Sequence, residues 1–329
     1  MALDLEEVLV AADAAELDLT NAHLHNLEEV PLPETLSLLD LTANRLKALD
    51  VRVLNLPGLK HLLLRQNLME DLSPIAHMAS ASGLLELVLY DNNISQLPDL
   101  SAFASLEKLD LSINQLRSMA SLSTLQAPSL QELYLTSNKL SSIESLSSLC
   151  KLELLELGDN RISQLAGLDN LQSLRELWLG RNRVTSISGL SSLTSLQRLS
   201  LQSNRLTSMK GIGACTALQE LYLSHNGISQ LEEVSSLPEL QILDVSNNQL
   251  KSVTGLSSLQ HLEDLWLNDN QIMELEDVNA ELDGSRSTLT CVYLSCNPAT
   301  RNNPLYKQCM LRWLPNLKQL DADYVRGGP

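Results

Sequence analysis

Along most of the chain the apolar positions change step in a fixed order. Between Arg161 and Asn182 they fall three apart, at Ile162, Leu165, Leu168, Leu171, Leu174 and Leu177, and the step then shortens to two at Leu179. The next copy does the same at Val184, Ile187, Leu190, Leu193, Leu196, Leu199 and Leu201, ending on Asn204. A step of three keeps one side of a 3₁₀-like or extended segment inward, because such a turn holds three residues. A step of two is a strand with alternate side chains inward. Each unit is therefore one short strand and a tight return, and it cannot bury its apolar face alone. Stacking successive units solves this and lines their strands into a parallel sheet.

An asparagine follows the strand at 44, 67, 92, 114, 138, 160, 182, 204, 226, 248, 270 and 297, and the six intervals from Asn138 to Asn270 are all 22 residues. Its amide both donates and accepts, which suits a corner full of unpaired backbone groups. An earlier unit around Leu17 and Leu19 has Ala22 in that place. The 329 residues would suggest two domains by length, but about 13 units of one phase predict a single solenoid instead. The expected organisation is a lid over 1–14, the solenoid over 15–297 and a cap over 298–329. The fold class is an α/β repeat with a curved parallel sheet on its concave side, 3₁₀ or short helical returns on its convex side, and a helical cap at the C-terminal end. In that cap Pro304 suits a first helical turn, Leu305, Met310, Trp313 and Leu314 are expected to cover the last coil, and Leu317 and Leu320 to form a final degenerate strand.

The residues flanking the middle leucine of each strand point out of the sheet. Glu132, Tyr134, Glu156, Glu176, Trp178, Glu220, Tyr222, Asp244, Asp264, Trp266 and Tyr293 all fall on that face, as does Asp110. Of the 26 such positions 11 are acidic and two, Lys108 and Arg198, are basic. Five of the ten aromatic residues lie there too. A stripe of rings and carboxylates on a rigid surface is a candidate protein interface: rings supply hot-spot contacts and carboxylates steer a basic partner.

Charge and composition narrow the rest. A net charge of −17 disfavours nucleic acid, whose phosphates need Lys and Arg, and anionic lipid. No run of 18 apolar residues and no basic signal stretch occurs. Five cysteines, an odd number with no C-x-x-C spacing, fit reduced thiols, and Cys150 and Cys215 are expected as buried filling. The six histidines form no metal motif, no nucleophile or phosphate motif is present, and neither a cofactor nor an enzyme is expected. Location in the nucleus and cytoplasm is expected.

The 22-residue unit, the stretches LLLRQNLMEDL (62–72), ELYLSHNGI (220–228), LWLNDN (265–270) and LDADYVR (320–326), and the NP…LPNLKQLD cap resemble the leucine-rich repeats of the protein phosphatase 1 regulatory subunit 7 family. The resemblance extends over nearly the whole chain. It implies a non-catalytic regulatory subunit that cups the phosphatase catalytic subunit, with a further phosphatase inhibitor protein as an added partner and a monomer in isolation. The family's contact positions match Asp110, Tyr134, Glu156, Trp178, Asp244, Trp266 and Tyr293, with Asp264 beside Trp266. Tyr134 and Trp178 stand where the family tends to have Phe, and Asp264 where it has Glu. The family's long acidic leader has no match here, so regulation through one is not expected. The other reading is an adaptor of the same repeat type for a cytoskeletal, ciliary or spliceosomal complex.

Overall fold

Each repeat closes on itself through one short strand. A computed structural model describes residues 11, 13–301 and 303–325, and the chain divides into two compact units, Met1–Arg161 and Ile162–Pro329. Most of the lid expected over 1–14 lies outside the described residues.

The first unit carries β1 (Glu16–Asp18), β2 (Leu38–Asp40), β3 (His61–Leu63), β4 (Glu86–Val88), β5 (Lys108–Asp110), β6 (Glu132–Tyr134) and β7 (Leu154–Glu156). Neighbours pair in parallel with the middle leucines in register, as in Leu17 with Leu39 and Leu133 with Leu155. The second unit carries β8 (Glu176–Trp178), β9 (Arg198–Ser200), β10 (Glu220–Tyr222), β11 (Ile242–Asp244), β12 (Asp264–Trp266), β13 (Cys291–Tyr293), β14 (Gln319–Leu320) and β15 (Asp323–Tyr324). These strands are parallel up to β14, and β15 turns back antiparallel to it. The thirteen strands read from the alternation occupy the expected positions. The register puts every middle residue inward, and Leu39, Leu133, Leu177, Leu221 and Leu265 are fully buried. The core is aliphatic, as a chain with one phenylalanine requires; that residue, Phe103, is itself buried.

The returns are short 3₁₀ turns, such as Ser73–His77, Ala120–Thr124, Ile212–Ala214 and Leu256–Ser258, with two helices, α1 (Val51–Leu54) and α2 (Leu275–Glu281), replacing them in longer units. Asp50 starts α1: its carboxylate accepts from the Arg52 backbone N–H at 2.8 Å and pairs with the guanidinium, which holds its pKa down.

The corner asparagines are buried, except for the partly buried Asn204 and Asn226, and their amides bond the backbone of neighboring coils. In the second unit Asn248 donates Nδ2 to the carbonyls of Leu223, Val245 and Ser246 at 3.0–3.1 Å, and its Oδ1 accepts from the Ile228 N–H of the preceding coil at 2.9 Å. In the first unit Asn114 repeats the arrangement with Leu89, Leu111, Ser112 and Ile94. One amide thus joins two coils. The corner also forces the residue before each asparagine into the left-handed region, including Ile113 (φ 52°) and His225 (φ 55°). That conformation costs about 1–2 kcal/mol for a side chain with a Cβ, and the four amide bonds offset it.

Helices α3 (Pro298–Arg301) and α4 (Tyr306–Trp313) form the cap. Here one expectation is corrected: Leu305 is exposed, because α4 begins one residue later and turns Tyr306 inward instead. Met310 and Leu314 cover the last coil as expected. Asp321, directly after β14, ties the cap back to the coil before it. Its Oδ1 accepts from the N–H groups of Leu294 and Ser295 at 2.8 Å each, and its Oδ2 from the Tyr306 hydroxyl at 2.7 Å. Cys215 is buried, but Cys150 is exposed; Leu149 occupies the inward slot beside it.

Candidate functional site

On the open face of the first unit the charged residues form a chain of contacts. His61 Nδ1 lies 3.2 Å from Glu86, and Lys108 Nζ lies 3.4 Å from Glu86 and 3.7 Å from Glu132. The Tyr134 hydroxyl donates to Glu132 Oε2 at 2.9 Å, and the Lys108 ammonium stands 5.6 Å from the center of the Tyr134 ring. Burial first, and the Glu132 bond next, raise the Tyr134 phenol well above its ordinary value. Asp110 accepts from the Ser112 N–H at 3.0 Å, and Glu156 is half-buried at the end of β7.

The second unit repeats this with arginine at the center. Arg198 donates to Glu176 at 2.5 Å and to Glu220 at 2.9 Å. Each glutamate also holds the ring two residues on: Trp178 Nε1 donates to Glu176 at 3.2 Å and the Tyr222 hydroxyl to Glu220 at 2.9 Å. Residues two apart on a strand share a face, so the spacing brings each glutamate beside its ring and the length of its side chain completes the bond. Burial, then the Glu220 bond, push the Tyr222 phenol up to about 12.

The rings form a row. Trp178 stacks on Tyr222 with centers 6.3 Å apart and planes at 22°, Tyr222 meets Trp266 at 6.5 Å, and Trp266 meets Tyr293 edge-on at 5.9 Å. Trp178, Tyr222 and Trp266 lie on alternate strands, and two strand spacings are about 9–10 Å, so the rings lean toward one another across the strands between. Those strands carry Ser200 and Asp244 at the same position, and both are buried beneath. This corrects the expectation of an outward Asp244: it is 5% exposed, with its carboxylate taken by the N–H and hydroxyl of Ser246 at 3.0 and 2.6 Å. Trp178, Tyr222, Trp266 and Tyr293 remain half-exposed, as Tyr134 does in the first unit.

The fourth acid and ring pair breaks the pattern. Asp264 is one methylene shorter than the glutamates, and Trp266 Nε1 has no hydrogen-bond partner among the described residues. On the next strand, burial first and the Asp264 charge next raise the Cys291 thiol to about 11. Burial raises the Asp264 pKa, with the neighboring Glu263 charge adding to it. At the end of the row the Gln319 amide donates to the Tyr293 hydroxyl at 2.5 Å.

Reading the face position by position had not revealed Arg198 and Lys108 as the links between glutamates. The signal is a double period: Glu132-Leu-Tyr134, Glu176-Leu-Trp178, Glu220-Leu-Tyr222 and Asp264-Leu-Trp266 recur every second repeat, and the strands between carry no ring on this face. Among the described residues no group of three or more His, Cys, Asp or Glu side chains is arranged to hold a metal, and no helix is long and apolar enough to cross a membrane.

Comparison with known proteins agrees with the repeat. A model of leucine-rich repeats in two copies matches residues 128–170, 172–214, 194–239, 216–258 and 238–280. The protein phosphatase 1 regulatory inhibitor subunit PPP1R7 homolog of Arabidopsis thaliana is 48% identical over 109 residues, 32% of this chain and 33% of that protein. The protein phosphatase 1 regulatory subunit SDS22 of Saccharomyces cerevisiae is 34% identical over 96 residues, 29% of this chain and 28% of that one. The chain thus spans about a third of the length of the curated relatives it matches. Among solved structures, an internalin (InlF) of Listeria monocytogenes superposes with a TM-score of 0.83 at 24% identity, covering 98% of this chain and 93% of the other. The repeat protein LIC12759 of Leptospira interrogans gives 0.70 at 25% identity, over 94% and 96%. These two likenesses concern the solenoid fold. With its corner asparagines and in-register parallel strands, the chain is built of leucine-rich repeats, and over about a third of its length it is similar to the PPP1R7 and SDS22 proteins.

Proposed function

We propose that the chain is a non-catalytic regulatory and scaffold subunit that binds the catalytic subunit of protein phosphatase 1 on the acidic, ring-bearing faces of its sheet. The observation that carries this reading is the half-exposed row Trp178, Tyr222, Trp266 and Tyr293 in a chain whose relatives are named regulatory subunits of that phosphatase. A soluble surface ordinarily keeps large rings scattered; a contiguous run rimmed by charge marks a contact. Here the rim is Glu176, Glu220 and Asp264, and in the first unit Asp110, Glu132 and Glu156 flank Tyr134. Buried Asp244 supports Tyr222 and Trp266 from below rather than meeting a partner first.

The mechanism is differential binding. The rings would desolvate against apolar surface of the catalytic subunit while the carboxylates draw basic side chains into register. A subunit held this way changes the partner's accessible surface, and thereby its activity, assembly or placement, without contributing a reacting group.

The test is co-purification of recombinant catalytic subunit with the wild type and with Trp178→Ala/Trp266→Ala. Loss of the complex with an unchanged thermal transition supports the reading. Equal recovery of the catalytic subunit by both proteins overturns it, as does failure of the wild type to bind while a different protein is captured from lysate.

A further inference from the structure

We infer that Arg198 is the positioning residue of the second unit's ring row, fixing Trp178 and Tyr222 for a partner through Glu176 and Glu220. The inference rests on the rings being partner contacts, as proposed above.

The geometry is a single connected path. Arg198 sits at the first face position of β9, in register with Glu176 of β8 on one side and Glu220 of β10 on the other. Its Nη1 donates to one and its Nε to the other. A planar guanidinium can hold two carboxylates in fixed directions at once. Each glutamate keeps a second oxygen for a ring donor: Glu176 Oε2 for the Trp178 indole, Glu220 Oε2 for the Tyr222 hydroxyl. The two rings so fixed are those that stack, with planes only 22° apart, above buried Ser200 on Arg198's own strand. The bond to Glu220 first, and the Glu176 charge next, raise the already high Arg198 pKa, so the clamp stays charged throughout the physiological range.

The first unit contains a simpler version. Lys108 lies between Glu86 and Glu132, and Glu132 holds the Tyr134 hydroxyl. Its contacts of 3.4 and 3.7 Å are longer than those of Arg198, as a point-like ammonium would give. A basic residue between two glutamates, at least one of which holds a ring donor, thus occurs in both units.

The two roles open to Arg198 predict opposite signs. As a mere charge it lowers the negative field of the face, so removing it should speed association with a basic partner surface. As a positioning residue it keeps two rings in their bound orientation, so removing it should shorten the life of the complex.

The experiment compares wild type, Arg198→Met and Arg198→Lys. In the free protein the Trp178 indole N–H is followed by ¹H–¹⁵N NMR, assigned with Trp178→Phe. Binding of recombinant protein phosphatase 1 catalytic subunit is followed by surface kinetics, and folding by thermal unfolding. For Arg198→Met we expect the Trp178 resonance to move toward the free-indole position. The off-rate should rise about tenfold, as for loss of two pre-ordered side chains. The thermal transition should stay put, and Arg198→Lys should recover most of both signals. An unmoved Trp178 resonance overturns the inference, and so does a faster on-rate with an unchanged off-rate. If wild type does not bind the catalytic subunit, the proposed partner fails, and the indole resonance alone then decides whether Arg198 orders the rings.

Discussion

Gly189 sits with φ at +107° directly over the carbonyl oxygen of Leu165, and a Cβ at Gly189 would stand 1.8 Å from that oxygen. Two penalties coincide there, the left-handed backbone and a clash with main chain that cannot swing away. Gly189→Ala is expected to cost about 3 kcal/mol or more. Gly211, with φ at +104° but its nearest oxygen at 3.4 Å, meets only the first, and Gly83 has nothing within 4 Å of a Cβ. Thermal unfolding of the three alanine variants should rank Gly189 far below Gly211, and Gly211 below a near-neutral Gly83.

Asn248 supplies four bonds that no other side chain can reproduce. Asn248→Ala strands the Ile228 N–H and leaves the Leu223, Val245 and Ser246 carbonyls without the amide donor, all in a buried corner. Only the Ile228 N–H is left unsatisfied, because the Leu223, Val245 and Ser246 carbonyls keep bonds from the Asn226 amide, the Asn270 amide and the His225 N–H, so the loss should be about 1–3 kcal/mol. Hydrogen exchange should accelerate first around Ile228 and Leu250, the two coils that the amide joins. Asn248→Asp keeps the shape but turns an oxygen toward three carbonyls, so its stability should fall as pH rises and the carboxylate ionizes.

The cap gives a second dependence on pH, with the sign set by Tyr306. Burial, then the bond to Asp321, lift the Tyr306 phenol above the ordinary tyrosine value of 10.0. The folded state therefore keeps its proton where the unfolded chain loses it. The stabilization is whole below pH 10 and is lost as pH climbs beyond it. Tyr306→Phe should be less stable at neutral pH by about 1–2 kcal/mol, since Asp321 Oδ2 loses its donor. The melting curves of the two proteins should converge in alkali. Parallel curves across that range would show that the phenol proton plays no part.

Which features could be read before any coordinates is a matter of how local their causes are. The alternation around Leu177 or Leu221 decides which way Trp178 and Tyr222 face, and strand position followed from it throughout. The asparagine corners were legible for the same reason, as one residue type with one bonding pattern. Asp244 was not: it is buried because Tyr222 and Trp266, each one strand away, lean over it, and no pattern along β11 records that. Cys150 and Leu305 failed by one residue, where Leu149 and Tyr306 claim the inward position. In segments without strict alternation a shift of one residue costs little, so packing decides.

The pairing of Asp264 with Trp266 is where this face departs from its own rule, and it yields the sharpest local prediction. Three glutamates reach the ring donor two residues on, whereas Asp264 does not, leaving the Trp266 indole N–H without a partner among the described residues. Asp264→Glu adds the missing methylene in the same register. It should bring the carboxylate to Trp266 Nε1 and stabilize the free protein by about 0.5–1.5 kcal/mol. The Trp266 indole resonance should shift and its exchange with solvent should slow, becoming like that of Trp178. The same substitution moves the carboxyl outward from a buried setting that raises its pKa, so its titration should fall back toward the ordinary range. If the indole resonance stays where it is in Asp264→Glu, chain length is not what separates the fourth pair from the other three.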